Sequence, residues 1–448
     1  MNVSVLTLSN PPSYHSRSSF SGSRTSIQTD LPAYAPRLRR SRTAPVDSPP
    51  RAQHEYTLAV RSSGIPWATL KLLSRAHASK QVPMYAEGDK IKGALVLDAK
   101  KAGSTRCVTL TLMGQILTSS TQWLFLEHKV VLWDRSSSSH KLQAVELPFS
   151  FSIPTEVDLN GSTYRLPQTS VDPVGKNDVQ YSLFLHMKRS GLVTAVSSSI
   201  RTVVAYMPRS RPPPPSELRS LAYNESTSIP GPDVDPDGWR TLPPCTFYGK
   251  TGENAQLKVK CTLWLARPLS YTRGSVIPCM LSISSSNHDV LSRLNPALIS
   301  LRLRQTLTVY PSNIQNSVYQ QRPAMDTVVD VRKEAVSMGS ARYHETQGRW
   351  KDTAQDVGTA VWWPVHREPD DDRMHFEGEV KLHPQLRPTS QMGNYRIRYS
   401  VVLMPIEHPK FTYKGDLREP LLEVGVDIVT MYAPGPRPRA YAPMSEDT

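Results

Sequence analysis

Apolar residues recur at every second position in short runs along most of the chain, and no other feature constrains the fold as tightly. In the run Cys107–Met113, Val108, Leu110 and Leu112 share one side while Thr109 and Thr111 take the other. Successive side chains of a strand point to opposite faces, so such a run pays out one face to a core and one to water. Asp178–Met187 repeats the pattern with Val179, Tyr181, Leu183 and Leu185. Further runs are His54–Val60, Thr69–Ser74, Lys90–Asp98, Gln122–Trp133, Glu146–Ile153 and Thr194–Met207, separated by Gly, Pro, Ser and Asp clusters. Many short strands with turn signals between them and no convincing amphipathic helix indicate an antiparallel β-sandwich over residues 53–208.

Residues 209–243 interrupt the pattern. Arg209-Ser-Arg-Pro-Pro-Pro-Pro215 and later Pro/Gly/Asp clusters read as a stiff interdomain connector. Alternation then resumes in Lys258–Leu265, Ser275–Ser284, Leu301–Val309, Val328–Val336, Gly358–Val365, Phe376–Leu382, Asn394–Val401 and Leu422–Tyr432. A second sandwich over 244–434 and a short tail over 435–448 are expected. Residues 1–52 are rich in Ser, Pro and Arg and poor in aliphatics, so they are read as a disordered tail. The expected class is all-β: two tandem antiparallel β-sandwiches of immunoglobulin-like type behind that tail.

Chemistry-bearing patterns are sparse. Cys107, Cys245, Cys261 and Cys279 show no C-x-x-C spacing and read as single reduced core thiols of a cytosolic protein. No Ser/His/Asp, paired-carboxylate or Gly-rich phosphate-loop arrangement stands out, so the chain is read as non-catalytic, with no cofactor and no metal. No run of ~18 apolar residues marks a membrane span. A formal net charge of +14 favours acidic partners such as lipid headgroups or phosphopeptides. The basic residues form no long helix and no zinc-finger pattern, so nucleic acid is not an expected partner.

The tail carries two Pro-x-Tyr phrases, Pro11-Pro12-Ser-Tyr14 and Leu31-Pro32-Ala-Tyr34. Such a segment adopts polyproline II cheaply, and a WW domain reads it with one aromatic groove for the proline and a second pocket for the tyrosine. Arg40-Ser-Arg-Thr43-Ala-Pro45 fits a 14-3-3 ligand phosphorylated at Thr43. Arg209, Pro212 and Pro215 fit the R-x-x-P-x-x-P pattern of SH3 ligands, although a rigid spacer is the preferred role. Lys90, Lys92, Lys188 and Arg189 are candidates for contact with acidic cargo.

Several phrases resemble the arrestin family. Tyr85-Ala-Glu-Gly-Asp-Lys-Ile-Lys-Gly-Ala-Leu-Val-Leu97 is similar to the Y-x-x-G-[DE]-x-[IV]-x-G-x-[LV] strand of the arrestin amino-terminal domain, and Leu112-Met-Gly114 follows it. Glu146-Leu-Pro-Phe-Ser-Phe-Ser-Ile-Pro154 resembles the LPFxFxxP phrase, and Leu166-Pro167 and Asp178–Leu185 the phrases after it. In the second half Ala266–Pro278 resembles P-x-x-Y-x-x-G-[ED]-x-[IV]-P, with Ser275 where the family often has an acid, and Tyr395–Leu403 resembles a later strand. The likeness covers roughly residues 54–434. It implies the arrestin fold. In the α-arrestin branch it implies an adaptor whose Pro-Tyr motifs recruit a WW-domain HECT ubiquitin ligase while the sandwiches dock on transmembrane cargo tails. That reading places the protein in the cytoplasm, recruited to plasma membrane or endosomes with peripheral membrane contact, and 14-3-3 proteins as further partners. In that branch the motifs commonly follow the second sandwich, whereas here they precede the first. A trafficking scaffold of the same fold acting without ubiquitin and an enzyme on a β-sandwich remain the competing readings.

Overall fold

A computed structural model describes residues 52–59, 64–118, 122–137, 146–171, 177–190, 196–251, 256–285, 295–309, 351–365, 373–393, 395–406 and 411–442. The expected strand Val328–Val336 lies outside them. The regular structure of the described residues is almost all strand.

The first half contains β1 (Ala52–Ala59), β2 (Pro66–Ser74), β3 (Met84–Ala86), β4 (Lys90–Leu97), β5 (Thr105–Thr118) and β6 (Gln122–Asp134). It continues with β7 (Glu146–Ser152), β8 (Glu156–Leu159), β9 (Ser162–Arg165), β10 (Asn177–Arg189) and β11 (Val196–Met207). One layer is the sheet β1-β2-β4-β7 and the other is β3-β11-β10-β5-β6, with β8 and β9 as a separate ribbon. Leu70, Leu72, Ile91 and Leu95 from the first layer and Leu110, Leu112, Leu183 and Leu185 from the second are fully buried. These are the inward positions of the alternating runs. Each such side chain contributes about 1.5–3 kcal/mol when removed from water. The Tyr181 hydroxyl donates to Pro167 O at 2.7 Å, so the Leu166-Pro167 turn is tied to the core strand. Tyr181 also meets Phe125 edge-on, with ring centroids 5.6 Å apart.

Two glycines of the Tyr85–Leu97 phrase have separate causes. Gly88 turns the chain at φ +82°, which side-chain-bearing residues rarely adopt. Gly93 lies where a Cβ would sit 2.0 Å from the Lys71 carbonyl oxygen, so β2 and β4 approach closely only without one.

The second half contains β12 (Trp239–Thr241), β13 (Cys245–Thr251), β14 (Gln256–Ala266), β15 (Ser270–Thr272), β16 (Val276–Ser285) and β17 (Leu301–Val309). It ends with β18 (Lys351–Pro364), β19 (Arg373–Lys381), β20 (Ser390–Met392), β21 (Tyr395–Leu403), β22 (Phe411–Tyr413) and β23 (Leu422–Val429). These join in one curled sheet because β18 belongs to both layers. Its residues Lys351–Thr359 pair with β17, and Ala360–Pro364 pair with β19. The register slips between Leu303 and Arg304 opposite this change, the local bend by which one strand passes between two packed layers. Sequence alternation shows only the later part of β18, since residues 352–356 are all exposed and carry no bulky apolar side chain.

Residues 209–243, read from sequence as a connector, contain a helix, α1 (Glu217–Glu225), and the strand β12. Ser216 caps the helix by accepting from Arg219 N at 3.3 Å, and Glu217 opposes the positive end of the helix dipole. Ser226, at φ 65°, closes it. The connector is therefore packed on the second half rather than spanning open solvent.

Candidate functional site

The Pro-Tyr motifs (Pro11, Pro12, Tyr14; Leu31, Pro32, Tyr34) and the 14-3-3 candidate (Arg40, Thr43, Pro45) lie outside the described residues. The basic candidates fall at separate places. Lys90 and Lys92 are exposed on the outer face of β4, opposite Ser152 and Ser150 of β7. Lys188 is exposed on β10, in the other layer, between Cys107 and Ser197. Arg189 faces the opposite way. Its guanidinium stacks 4.4 Å from the Trp67 ring centroid and donates to Ser198 Oγ at 3.1 Å, and burial lowers its pKa. These four do not form one cationic surface.

A dense polar cluster lies where the first half passes into the connector. Asp89, in the β3–β4 turn, accepts from Arg75 Nε at 2.5 Å and Nη2 at 2.7 Å, and from Ala86 N at 2.9 Å. Arg209 Nη2 approaches the same carboxylate at 3.4 Å. Glu87 accepts from the Arg209 backbone N at 2.6 Å and from Arg165 Nη2 at 2.5 Å, while Arg165 also donates to Arg209 O at 2.8 Å. Burial acts to raise the Asp89 pKa, but the hydrogen bonds from Arg75 and Ala86 and the charges of Arg75 and Arg209 outweigh it and hold the pKa below the ordinary 3.8.

The connector is next gripped from the second half. Ser210 N donates to Thr430 Oγ1 at 3.0 Å, Thr430 Oγ1 donates to Pro208 O at 2.7 Å, and Met431 N donates to Ser210 O at 2.9 Å. Arg273 then reaches across, donating to Gln168 Oε1 at 2.8 Å and Leu386 O at 3.1 Å. Arg209, the basic residue of the SH3-like phrase, is thus engaged by Glu87 and Asp89. Pro212 and Pro215 are half-buried and line a cavity of about 50 Å³ with Tyr271 and Pro436. That volume suits a water molecule, far short of the several hundred Å³ of a small-molecule site.

Arg219 anchors α1. It is 1% exposed, donates to Arg267 O at 2.8 Å and Gly238 O at 2.6 Å, and stacks 4.8 Å from the Trp239 ring centroid. Sequence reasoning singled out neither Arg219 nor the acids Glu87 and Asp89 as contact residues. Only the acidic position of the Tyr85–Leu97 phrase marked Asp89 at all.

A larger hollow, about 490 Å³, lies beside β13 and β22 and is lined by Phe247, Tyr248, Lys250, Gln256, Tyr413 and Lys414 among others. Among the described residues its lining holds no carboxylate, histidine or thiol. Among the described residues no group of three or more His, Cys, Asp or Glu is placed to hold a metal ion. The raised pKa values belong mainly to buried tyrosines: burial pushes Tyr223 and Tyr399 up to about 12 and Tyr85, Tyr181, Tyr206 and Tyr271 further. Such phenols stay neutral and serve packing. Among the described residues no helix is long and apolar enough to cross a membrane. No protein-family model matches this chain, and no curated protein matches it.

Proposed function

We propose that this chain is a non-catalytic, arrestin-like adaptor that brings a WW-domain HECT ubiquitin ligase to membrane-protein cargo and promotes cargo ubiquitination and endocytosis. The observation that carries this reading is the pair of Pro-Tyr phrases at Pro11–Tyr14 and Leu31–Tyr34, ahead of a two-layered β body. A body of this kind supplies surface for a partner, and the phrases supply a means of bringing chemistry to it. The arrestin-like phrases support the same reading, and several have structural work in the body: Asp89 fastens the connector and Tyr181 ties down the Leu166-Pro167 turn.

Co-purification from cells separates this reading from a ligase-independent scaffold. The wild-type chain is expected to recover a HECT ligase, and changing Tyr14 and Tyr34 to Ala should remove it. Coat-complex subunits recovered equally with both proteins, with no ligase in either, would replace the adaptor by the scaffold.

A further inference from the structure

The structure brings together two thiols that the sequence keeps apart. Cys245 opens β13, directly after Pro243 and Pro244 of the connector, and Cys261 lies in the middle of β14. The two strands are antiparallel neighbours, and the register sets Cys245 opposite Cys261. Directly opposed residues have Cα atoms about 4.5–5.5 Å apart. That separation falls within the ~4.4–6.8 Å that a disulfide spans. Both side chains turn to the same side: Cys261 belongs to the core and Cys245, half-buried, packs against it. The other thiols have no such partner. Cys107 lies in the first half opposite Asp134 and Lys188, and fully buried Cys279 lies opposite Leu265 and Gly378.

We propose that Cys245 and Cys261 form a reversible dithiol–disulfide site that fastens the end of the connector to the second sandwich. The register already holds the two thiols side by side. The Cys261 thiol stabilises the Cys245 sulfur as thiolate, which lowers the Cys245 pKa, and the same contact together with burial raises that of Cys261. Cys245 is half-buried and Cys261 is 1% exposed, so Cys245 is the sulfur that a small oxidant reaches and the one that attacks it.

With hydrogen peroxide as oxidant, the Cys245 thiolate attacks one peroxide oxygen. The O–O bond breaks, hydroxide leaves and takes a proton to become water, and Cys245 becomes a sulfenic acid. The Cys261 sulfur then attacks the Cys245 sulfur. The S–O bond breaks, and the hydroxyl leaves as water with the Cys261 proton. Two thiols lose two electrons in total, and one peroxide becomes two waters. The product ties β13 to β14 at the point where the connector enters the sheet. A thiol reductant reverses it.

The test treats the reduced full-length protein with graded hydrogen peroxide, blocks the remaining thiols by alkylation after denaturation, and maps them by mass spectrometry. A Cys245–Cys261 cross-linked peptide that disappears with dithiothreitol is the expected result, with Cys279 still alkylated. In Cys261→Ser the cross-link should be absent and Cys245 should be trapped as a dimedone adduct. If Cys245 in the wild-type protein proceeds to sulfinic acid while Cys261 stays a free thiol, the proposal is overturned. It is equally overturned if both remain free at a peroxide dose that oxidises Cys107.

Discussion

Replacing Asp89 by Asn tests whether the acid of the Tyr85–Leu97 phrase is a fastening point for the connector. The change keeps the shape of the side chain and an oxygen that can accept from Ala86 N, but removes the charge that Arg75 and Arg209 share. Breaking a fully buried ion pair by removing one partner costs about 3–5 kcal/mol, and an exposed pair is worth about 0.2–1 kcal/mol. The Asp89, Arg209 and Arg75 side chains are 13%, 22% and 23% exposed, between those limits. The expected loss is therefore ~2 kcal/mol. For a sandwich of this size that corresponds to a fall of roughly 4–8 °C in the melting temperature. Thermal and urea unfolding of wild type, Asp89→Asn, Arg75→Gln and the double variant would measure it, with a coupling of ~1–2 kcal/mol between the two sites. The pH dependence carries the sign. The Asp89 pKa is lowered in the folded state, so its contribution is fully present above the ordinary value of 3.8 and is lost as pH falls through the lower folded value. Wild type and Asp89→Asn should thus keep a constant gap from pH 8 down to about pH 4. A melting temperature within ~1 °C of wild type, or a gap that already shrinks between pH 7 and 6, would refute the reasoning.

Two further substitutions examine packing. Gly93→Ala places a Cβ 2.0 Å from the Lys71 carbonyl oxygen, so β2 must move, and denaturant unfolding should show a loss of ~3 kcal/mol or more; Gly103→Ala, which meets nothing within 4 Å, should stay within ~0.5 kcal/mol of wild type. Arg219→Ala leaves the Arg267 and Gly238 carbonyls without their donor and should cost ~2–3 kcal/mol, read as faster proteolytic cleavage within residues 217–239.

The strands that flank the core were legible because their inward positions are apolar and their outward ones polar; Leu110, Leu112, Leu183 and Leu185 are all buried as alternation requires. Features without that pattern were not legible. The earlier part of β18 is held by pairing to β17 and carries no apolar stripe. In β13 the exposed Tyr248 stands beside buried Phe247, which masks the period. Helix α1 is short, flanked by prolines, and buries an arginine together with Ala222 and Tyr223, so its inward face does not read as apolar. The joint could not be read either. Arg75, Glu87, Asp89, Arg165 and Arg209 come from separate stretches of the sequence and meet only because the end of β2, the β3–β4 turn, β9 and the end of β11 converge. The facing of Cys245 and Cys261 likewise depends on strand register, which spacing does not encode.

The adaptor reading is tested most directly by titrating a tandem WW-domain fragment of a HECT ligase into the full-length protein by calorimetry. Two Pro-Tyr phrases on one tail make the second contact intramolecular, which raises avidity by about 10²–10⁴ over either phrase alone. Wild type should bind tightly, Tyr14→Ala and Tyr34→Ala should each fall towards single-site affinity, and the double variant should not bind. Equal affinity in all four proteins, or no binding by wild type, would contradict the account.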